Sequence, residues 1–106
     1  MTAPGDLNRR LVLEQPVETA DGAGGVTRTY AAVTTLWAKL EPVSARGAVI
    51  ADAAGAIVTH RITIRSGIDV TTRHRFTEGA RTYRIVDMRE DATRRFLVIG
   101  AEERAD

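Results

Sequence analysis

The sequence predicts a mainly β protein, a small antiparallel β-barrel or sandwich of about six strands with one long loop or short helix near residues 44–56. Apolar and polar residues alternate along several short segments. Turn-forming residues separate these segments roughly every ten positions, and little of the chain has a helical pattern. The 106 residues match the usual size of one domain, so we expect a single domain over residues 1–106.

The first two predicted strands form a hairpin. Residues 10–14 alternate, with Leu11 and Leu13 on one face, and Pro16 either ends the pairing or marks an edge. The glycine-rich segment 21–25 supplies the positive-φ positions that a tight or bulged reversal needs, and residues 26–30 resume an extended pattern. This segment lacks the Gly-Lys-Ser/Thr ending and the following helix of a phosphate-binding loop, so we interpret it as a turn.

Residues 33–40 are again β-branched and aromatic, which predicts a third strand or a long continuation of the second. The run ends at Glu41-Pro42, where Pro42 disfavours helix in the residue before it. Trp37 lies on the face opposite Leu36 and Leu40. Core filling is the favoured interpretation of this tryptophan, whereas a partly exposed one would anchor an interface.

Residues 44–56 are mostly small, so few side chains there can anchor a core. We expect either a tolerant surface loop or a mobile arm that orders on a partner. The next segment is the clearest strand, with Val58, His60, Ile62 and Ile64 on one face. Three more short strands follow at residues 74–77, 82–88 and 95–101, and we expect residues 102–106 to form a frayed tail.

The residues that catalysis needs are scarce. The chain has two histidines and no cysteine, which excludes a disulfide framework, a thiolate zinc site and a cysteine nucleophile. His60 shares its face with Ile62 and is interpreted as a residue at the core edge. His74 lies between Arg73 and Arg75, whose charges would repel a metal ion. No catalytic residue, cofactor-binding residue or metal ligand is therefore predicted, and the protein is not expected to be an enzyme.

Fifteen basic and fourteen acidic residues give a net charge of +1, which supplies no broad field for nucleic acid. Lys39 is the single lysine, and arginine favours rigid, bidentate contacts. Several arginines are dense enough to line one side of a sheet: Arg61, Arg65, Arg73, Arg75, Arg81 and Arg84. They form either a solvated face or, in a ring, a surface that meets acids of a neighbour or a DNA channel.

No apolar run approaches the roughly 18 residues of a membrane span, so no membrane contact is expected.

Four segments in order, residues 5–11, 21–25, 36–42 and 60–65, resemble the phage head-tail joining family, whose members are also called head closure, stopper or head-tail adaptor proteins. The similarity continues through residues 83–85 and 95–97 to 102–103. Gly47 lies near the place of the family's usual glutamate, and Ala101 stands where a cysteine is often found.

The resemblance implies a β-barrel-like structural protein of a tailed phage or gene transfer agent particle, located in the virion and assembled in the host cytoplasm. It would form a homo-oligomeric ring of six or twelve subunits, with a portal or adaptor ring above and a tail terminator or tail protein below. The ring would close the DNA-filled head, and contact with DNA in the channel is possible in that arrangement. By the same analogy, residues 44–56 would reach toward the channel or a neighbouring ring.

The interface and loop candidates are Ser44, Arg46, Gly47, Asp52, Gly55, Arg61, Arg65, Arg73, Arg75 and Trp37. The alternative function is a small β-barrel module that binds nucleic acid or an acidic peptide through its arginine-rich face. The nucleic-acid version would need stacking aromatic side chains, and most of the few aromatics occupy expected core positions.

Overall fold

The computed structural model describes residues 4–43 and 57–104, and it contains six antiparallel strands that close into a barrel. After a 3₁₀ turn at Pro4–Asp6, the strands are β1 (Arg9–Ala20), β2 (Val26–Pro42), β3 (His60–Arg65), β4 (Arg75–Glu78), β5 (Arg81–Glu90) and β6 (Phe96–Arg104). Their order around the barrel is β1-β2-β3-β6-β5-β4. The mainly β prediction is confirmed, and closure selects the barrel over the sandwich. The loop predicted at residues 44–56 lies outside the described residues.

The inward faces of all six strands form one apolar core. Its largest fully buried side chains are Tyr83, Phe76, Leu11, Leu13, Ile62, Ile64 and Ile99. Phe76 and Tyr83 face each other across β4 and β5. Burying one such side chain contributes about 1.5–3 kcal/mol, so these positions dominate the stability of the barrel. The alternation predicted around β3 is confirmed for Ile62 and Ile64, which are buried, and for Arg61 and Arg65, which are exposed, but it is wrong at Thr63, which is also buried.

Strands β1 and β2 extend beyond the barrel. They pair with each other from Arg9 to Ala20, but β4 pairs only with residues 12–14 of β1, and β3 pairs only with residues 38–42 of β2. Residues 15–32 therefore project as a two-stranded hairpin, which we call the arm. A bulge between Leu13 and Glu14 marks its base. Residues 33–40 thus continue the second strand and do not form a separate third one.

The tip of the arm is the turn predicted from the glycine-rich segment. The Asp21 Oδ1 atom accepts hydrogen bonds from the backbone N–H groups of Ala23 at 2.8 Å and Gly25 at 3.0 Å. Gly22 and Gly24 have φ values of 83° and 85°, which side chains rarely tolerate. The two hydrogen bonds stabilise the charged carboxylate and lower the pKa of Asp21.

Two expectations are wrong. Trp37 is 55% exposed and does not fill the core, because Leu36 and Ala38 beside it take the inward positions of β2. The expected frayed tail is also wrong up to Arg104, since β6 continues that far and Glu103 pairs with Tyr83 of β5. Positions 105–106 lie outside the described residues. Among the residues that the structure describes, no helix has the length and apolar character needed to cross a membrane.

Candidate functional site

The arm and the outer face of β4, β5 and β6 enclose a groove of about 500 Å³ that is rich in arginine. Three of the arginines singled out in the sequence, Arg73, Arg75 and Arg84, meet in it. We call it the arginine groove, and its lining residues are Pro16, Arg28, Tyr30, Thr72, Arg73, His74, Arg75, Thr82, Arg84 and Arg104. The sequence reasoning missed Arg28 and Arg104, although strand alternation places Arg28 on the same face as Tyr30.

Strand register explains how this groove forms. Glu14 of β1 pairs with Arg75 of β4, Arg75 with Arg84 of β5, and Arg84 with Glu102 of β6. These four residues therefore form a row across the outer face of the barrel, with one carboxylate at each end and two guanidinium groups between them. Opposite charges in neighbouring positions of a sheet attract, and the two end carboxylates offset the repulsion between Arg75 and Arg84.

Arg75 is the fixed point of the groove. Its Nε atom donates a hydrogen bond to Glu14 Oε1 at 2.7 Å, and its guanidinium carbon lies 3.7 Å from the centroid of the Tyr30 ring. The side chain is only 29% exposed, so both contacts are partly shielded from water. Arg75 thereby holds the barrel against the arm.

The other four arginines of the groove are held more loosely. Glu18 Oε1 lies 3.2 Å from Arg28 and 3.6 Å from Arg73, and Glu102 Oε1 lies 3.6 Å from Arg84 and 3.3 Å from Arg104. Their side chains are between 47% and 71% exposed. Five guanidinium groups thus face three carboxylates, which leaves an excess of two positive charges.

His74 shapes the turn that borders the groove. Its Nδ1 atom accepts a hydrogen bond from the backbone N–H of Thr71 at 3.0 Å and lies 3.0 Å from Thr71 Oγ1. Within residues 4–43 and 57–104, no three His, Asp or Glu side chains converge closely enough to hold a metal ion. His74 is thus part of the backbone support of the groove.

A second surface surrounds Trp37. It is a shallow, mainly apolar pocket of about 440 Å³, lined by Leu7, Asn8, Leu36, Trp37, Arg65 and Ile68. The guanidinium carbon of Arg10 lies 5.5 Å from the centroid of the Trp37 ring. An exposed tryptophan flanked by arginines is typical of interface anchors.

His60 and Arg81 line neither the arginine groove nor the Trp37 pocket. The His60 ring packs edge-on against Tyr83 at a centroid distance of 5.2 Å. Its Nδ1 atom lies 3.0 Å from Thr59 Oγ1, and its Nε2 atom lies 3.8 Å from Glu103 Oε1. Glu103 also lies 3.8 Å from Arg81. His60 is therefore a packed residue at the core edge, as its position in the sequence predicts.

The remaining candidates are scattered. Arg61 is exposed on β3 and borders a different pocket with Asp87 and Arg89. The loop candidates Ser44, Arg46, Gly47, Asp52 and Gly55 lie outside the described residues. The structure thus brings together only part of the predicted arginine set, and it adds the two arginines that the sequence did not single out.

Comparisons with known proteins relate this chain to components of phage and gene transfer agent particles. Residues 2–104 match the family model described as Phage head completion protein. A chain from the virion of a native gene transfer agent particle is 35% identical, with 94% of this chain and 97% of that chain covered and a TM-score of 0.68. The solution structure of a Shigella flexneri 2a protein is 30% identical, with 99% of each chain covered and a TM-score of 0.77. The comparison with curated proteins gave no match.

Proposed function

Because this chain belongs to the phage head completion protein family, we propose that it forms a ring that closes the DNA-filled head and provides the attachment surface for the tail. The family and the similar virion chain indicate that the protein is a structural component of a phage or gene transfer agent virion. The observation that carries the proposal is this 35% identity to a chain in an assembled particle across 94% of the present chain.

The exposed surfaces of the barrel support a role in assembly. Trp37 is accompanied by other exposed large apolar residues, namely Val17, Val26, Val33 and Ile57. Val17 and Val26 lie on the arm, whereas Val33, Trp37 and Ile57 lie outside it. Exposed apolar side chains of this size are suited to contact a neighbour. We propose a ring of six or twelve copies in which the arm and the Trp37 pocket contribute to subunit contacts.

The ring would lie between two other assemblies, a portal or adaptor ring above and a tail terminator or tail protein below. The resemblance to head closure proteins supports this placement. We propose that residues 44–56, including Ser44, Arg46, Gly47, Asp52 and Gly55, reach toward the channel or a neighbouring ring. Arg61 and Arg65 are exposed on β3 and are candidates for contacts with the neighbouring rings or with DNA.

The role proposed is structural, without enzymatic activity. His60 Nδ1 lies 3.0 Å from the Thr59 hydroxyl, and His74 Nδ1 accepts a hydrogen bond from the backbone N–H of Thr71, so local contacts orient both rings, which supports structural roles for them. Substituting both histidines with glutamine tests this part of the proposal. Particles that assemble normally with the double variant would support it, whereas a loss of infectivity or gene transfer with normal particles would indicate missing chemistry.

Deleting the gene in the producing strain and counting particles by electron microscopy tests the proposal. We expect untailed heads to accumulate beside free tails, and expression of the protein in trans to restore joined particles. Normal numbers of joined particles in the deletion strain would overturn the head-closure function. A deletion that leaves no heads at all would place the protein at an earlier step and would also overturn it.

A further inference from the structure

We infer that the arginine groove binds an acidic, extended peptide segment of a neighbouring protein, whose carboxylates displace Glu18 and Glu102 from the exposed guanidinium groups. That this neighbour is a virion protein rests on the proposed function. The chemistry of the groove does not, because it follows from the charges, contacts and shape of this surface alone.

The first argument is the imbalance of charge. Glu18 contacts both Arg28 and Arg73, and Glu102 contacts both Arg84 and Arg104, each over 3.2–3.6 Å. A planar guanidinium group has five N–H donors. One carboxylate oxygen shared between two arginines cannot accept hydrogen bonds from all the donors of both guanidinium groups. Donors therefore remain available for a further carboxylate.

The second argument is that replacing Glu18 and Glu102 by carboxylates of a bound peptide costs little free energy. The four arginines paired with Glu18 and Glu102 are 47–71% exposed, Glu18 is 42% exposed and Glu102 is 22% exposed. The pair distances of 3.2–3.6 Å exceed that of a good charged hydrogen bond, and long pairs with exposed arginines add little stability. Arg75 differs, because its contact with Glu14 is short and partly buried. An incoming carboxylate would therefore exchange with the outer pairs while Arg75 keeps the arm in place.

The third argument is the shape of the groove. Its volume of about 500 Å³ suits a few residues of extended chain. Pro16 and Tyr30 provide apolar surface on the arm side, and Thr72 and Thr82 provide hydroxyl groups on the barrel side. This combination matches a peptide, which carries apolar atoms and backbone polar groups between its carboxylates.

The same features disfavour nucleic acid as the occupant. A duplex carries a negative charge about every 1.7 Å along its axis, and the three glutamates among the arginines would repel such a continuous chain of phosphates. The whole chain has a net charge of only +1, so it lacks the field that attracts nucleic acid from a distance. Separate carboxylates on a peptide can instead align with individual guanidinium groups.

The test uses the full chain and a fluorescent ten-residue peptide of alternating glutamate and threonine, followed by anisotropy at low salt. A peptide with glutamine in place of glutamate is the control ligand. We expect Arg73→Gln and Arg84→Gln each to weaken binding of the acidic peptide about tenfold, as the loss of one charged hydrogen bond predicts. Arg84→Lys keeps the charge without the fork, and we expect it to weaken binding by a smaller factor.

The decisive variants are Glu18→Gln and Glu102→Gln. Each removes an internal competitor, so we expect binding to tighten about threefold, an effect that a merely structural role of these glutamates would not produce. The matched control for the arginine variants is Arg61→Gln, which makes the same charge change as Arg73→Gln and Arg84→Gln on an exposed residue outside the groove. It should leave the affinity within about twofold, and amide NMR spectra of all variants should show the intact barrel.

Three results would overturn the inference. The first is that the acidic peptide shows no saturable binding, or that neither Glu18→Gln nor Glu102→Gln tightens it. The second is an equal loss of affinity with Arg61→Gln and Arg84→Gln, and the third is tighter binding of a DNA duplex than of the peptide under the same conditions. The last result would reassign the groove to nucleic acid. Because the titration uses isolated protein, its failure leaves the gene-deletion test of head closure unaffected.

Discussion

The guanidinium carbon of Arg75 lies 3.7 Å from the centroid of the Tyr30 ring, and this contact joins the barrel to the arm. Arg75 belongs to β4, whereas Tyr30 belongs to the part of β2 that has left the barrel. Cation–π contacts of this kind contribute about 0.5–2 kcal/mol. The direction in which the arm projects is therefore fixed by a side-chain contact as well as by strand pairing.

Tyr30→Ala should loosen the arm. We expect the free energy of unfolding to fall by about 1–2 kcal/mol, because both the cation–π contact and the packing of the ring are lost. Amide hydrogen exchange should accelerate in residues 15–32 more than in the barrel strands. Tyr30→Phe keeps the ring and should stay within about 0.5 kcal/mol of the natural protein. Equal effects of the two substitutions would show that the contact does not hold the arm.

Trp37→Ala should impair particle assembly while changing the stability of the protein little. The side chain is 55% exposed, so we expect the free energy of unfolding to fall by about 1 kcal/mol or less. Phe76→Ala, which empties a fully buried position, should cost about 3–5 kcal/mol. In the deletion strain, the stable Trp37→Ala protein should restore fewer joined particles than the natural protein. Full restoration would show that Trp37 is not an interface anchor.

Tyr83→Phe should leave the protein equally stable or make it more stable. The Tyr83 hydroxyl is buried and makes no hydrogen bond of good geometry among the described residues, although its interaction with the Arg81 guanidinium raises the pKa of Arg81. An unsatisfied buried hydroxyl costs about 1–3 kcal/mol, so its removal should raise the free energy of unfolding by up to about 1 kcal/mol. Urea denaturation measures the difference. A fall in the free energy of unfolding of more than about 1 kcal/mol would mean that the hydroxyl makes a hydrogen bond in solution.

The turn at the tip of the arm should loosen in acid. The pKa of Asp21 is lowered by hydrogen bonds from the backbone of Ala23 and Gly25, so the stability that the carboxylate contributes is present above its unfolded pKa of about 3.9. This contribution is lost as the pH falls through the lower pKa of the folded state. NMR shifts of the two amides should report the loss, and in Asp21→Asn they should not change over that range.

Much of the barrel follows from alternation and turn residues. The hairpin, the strand around Ile62 and the position of His60 could be predicted, because each depends on a local pattern. The prediction of a frayed tail is wrong because pairing with β5 extends β6 to Arg104. The prediction that Trp37 fills the core is wrong because Leu36 and Ala38 take the inward positions of β2.

The arginine groove could be predicted only in part. Arg73, Arg75 and Arg84 are close in the sequence, but Arg28 and Arg104 join them only because the arm and β6 flank β4 and β5 in the closed barrel. Register shifts at Leu13/Glu14 and Ile85/Asp87 also change which residues face outward beyond each bulge. No local pattern in the sequence specifies either the neighbour of a strand or the position of a bulge.

The barrel is closed by a short seam, in which only residues 12–14 of β1 pair with β4. Glu14 and Arg75, which meet there, are 61 positions apart in the chain. Joining such distant segments has a loop-closure cost that the local β1–β2 hairpin avoids. We therefore expect the hairpin to form early and the β1–β4 seam to form in the rate-limiting step, with folding in the millisecond-to-second range of proteins dominated by non-local strand pairs.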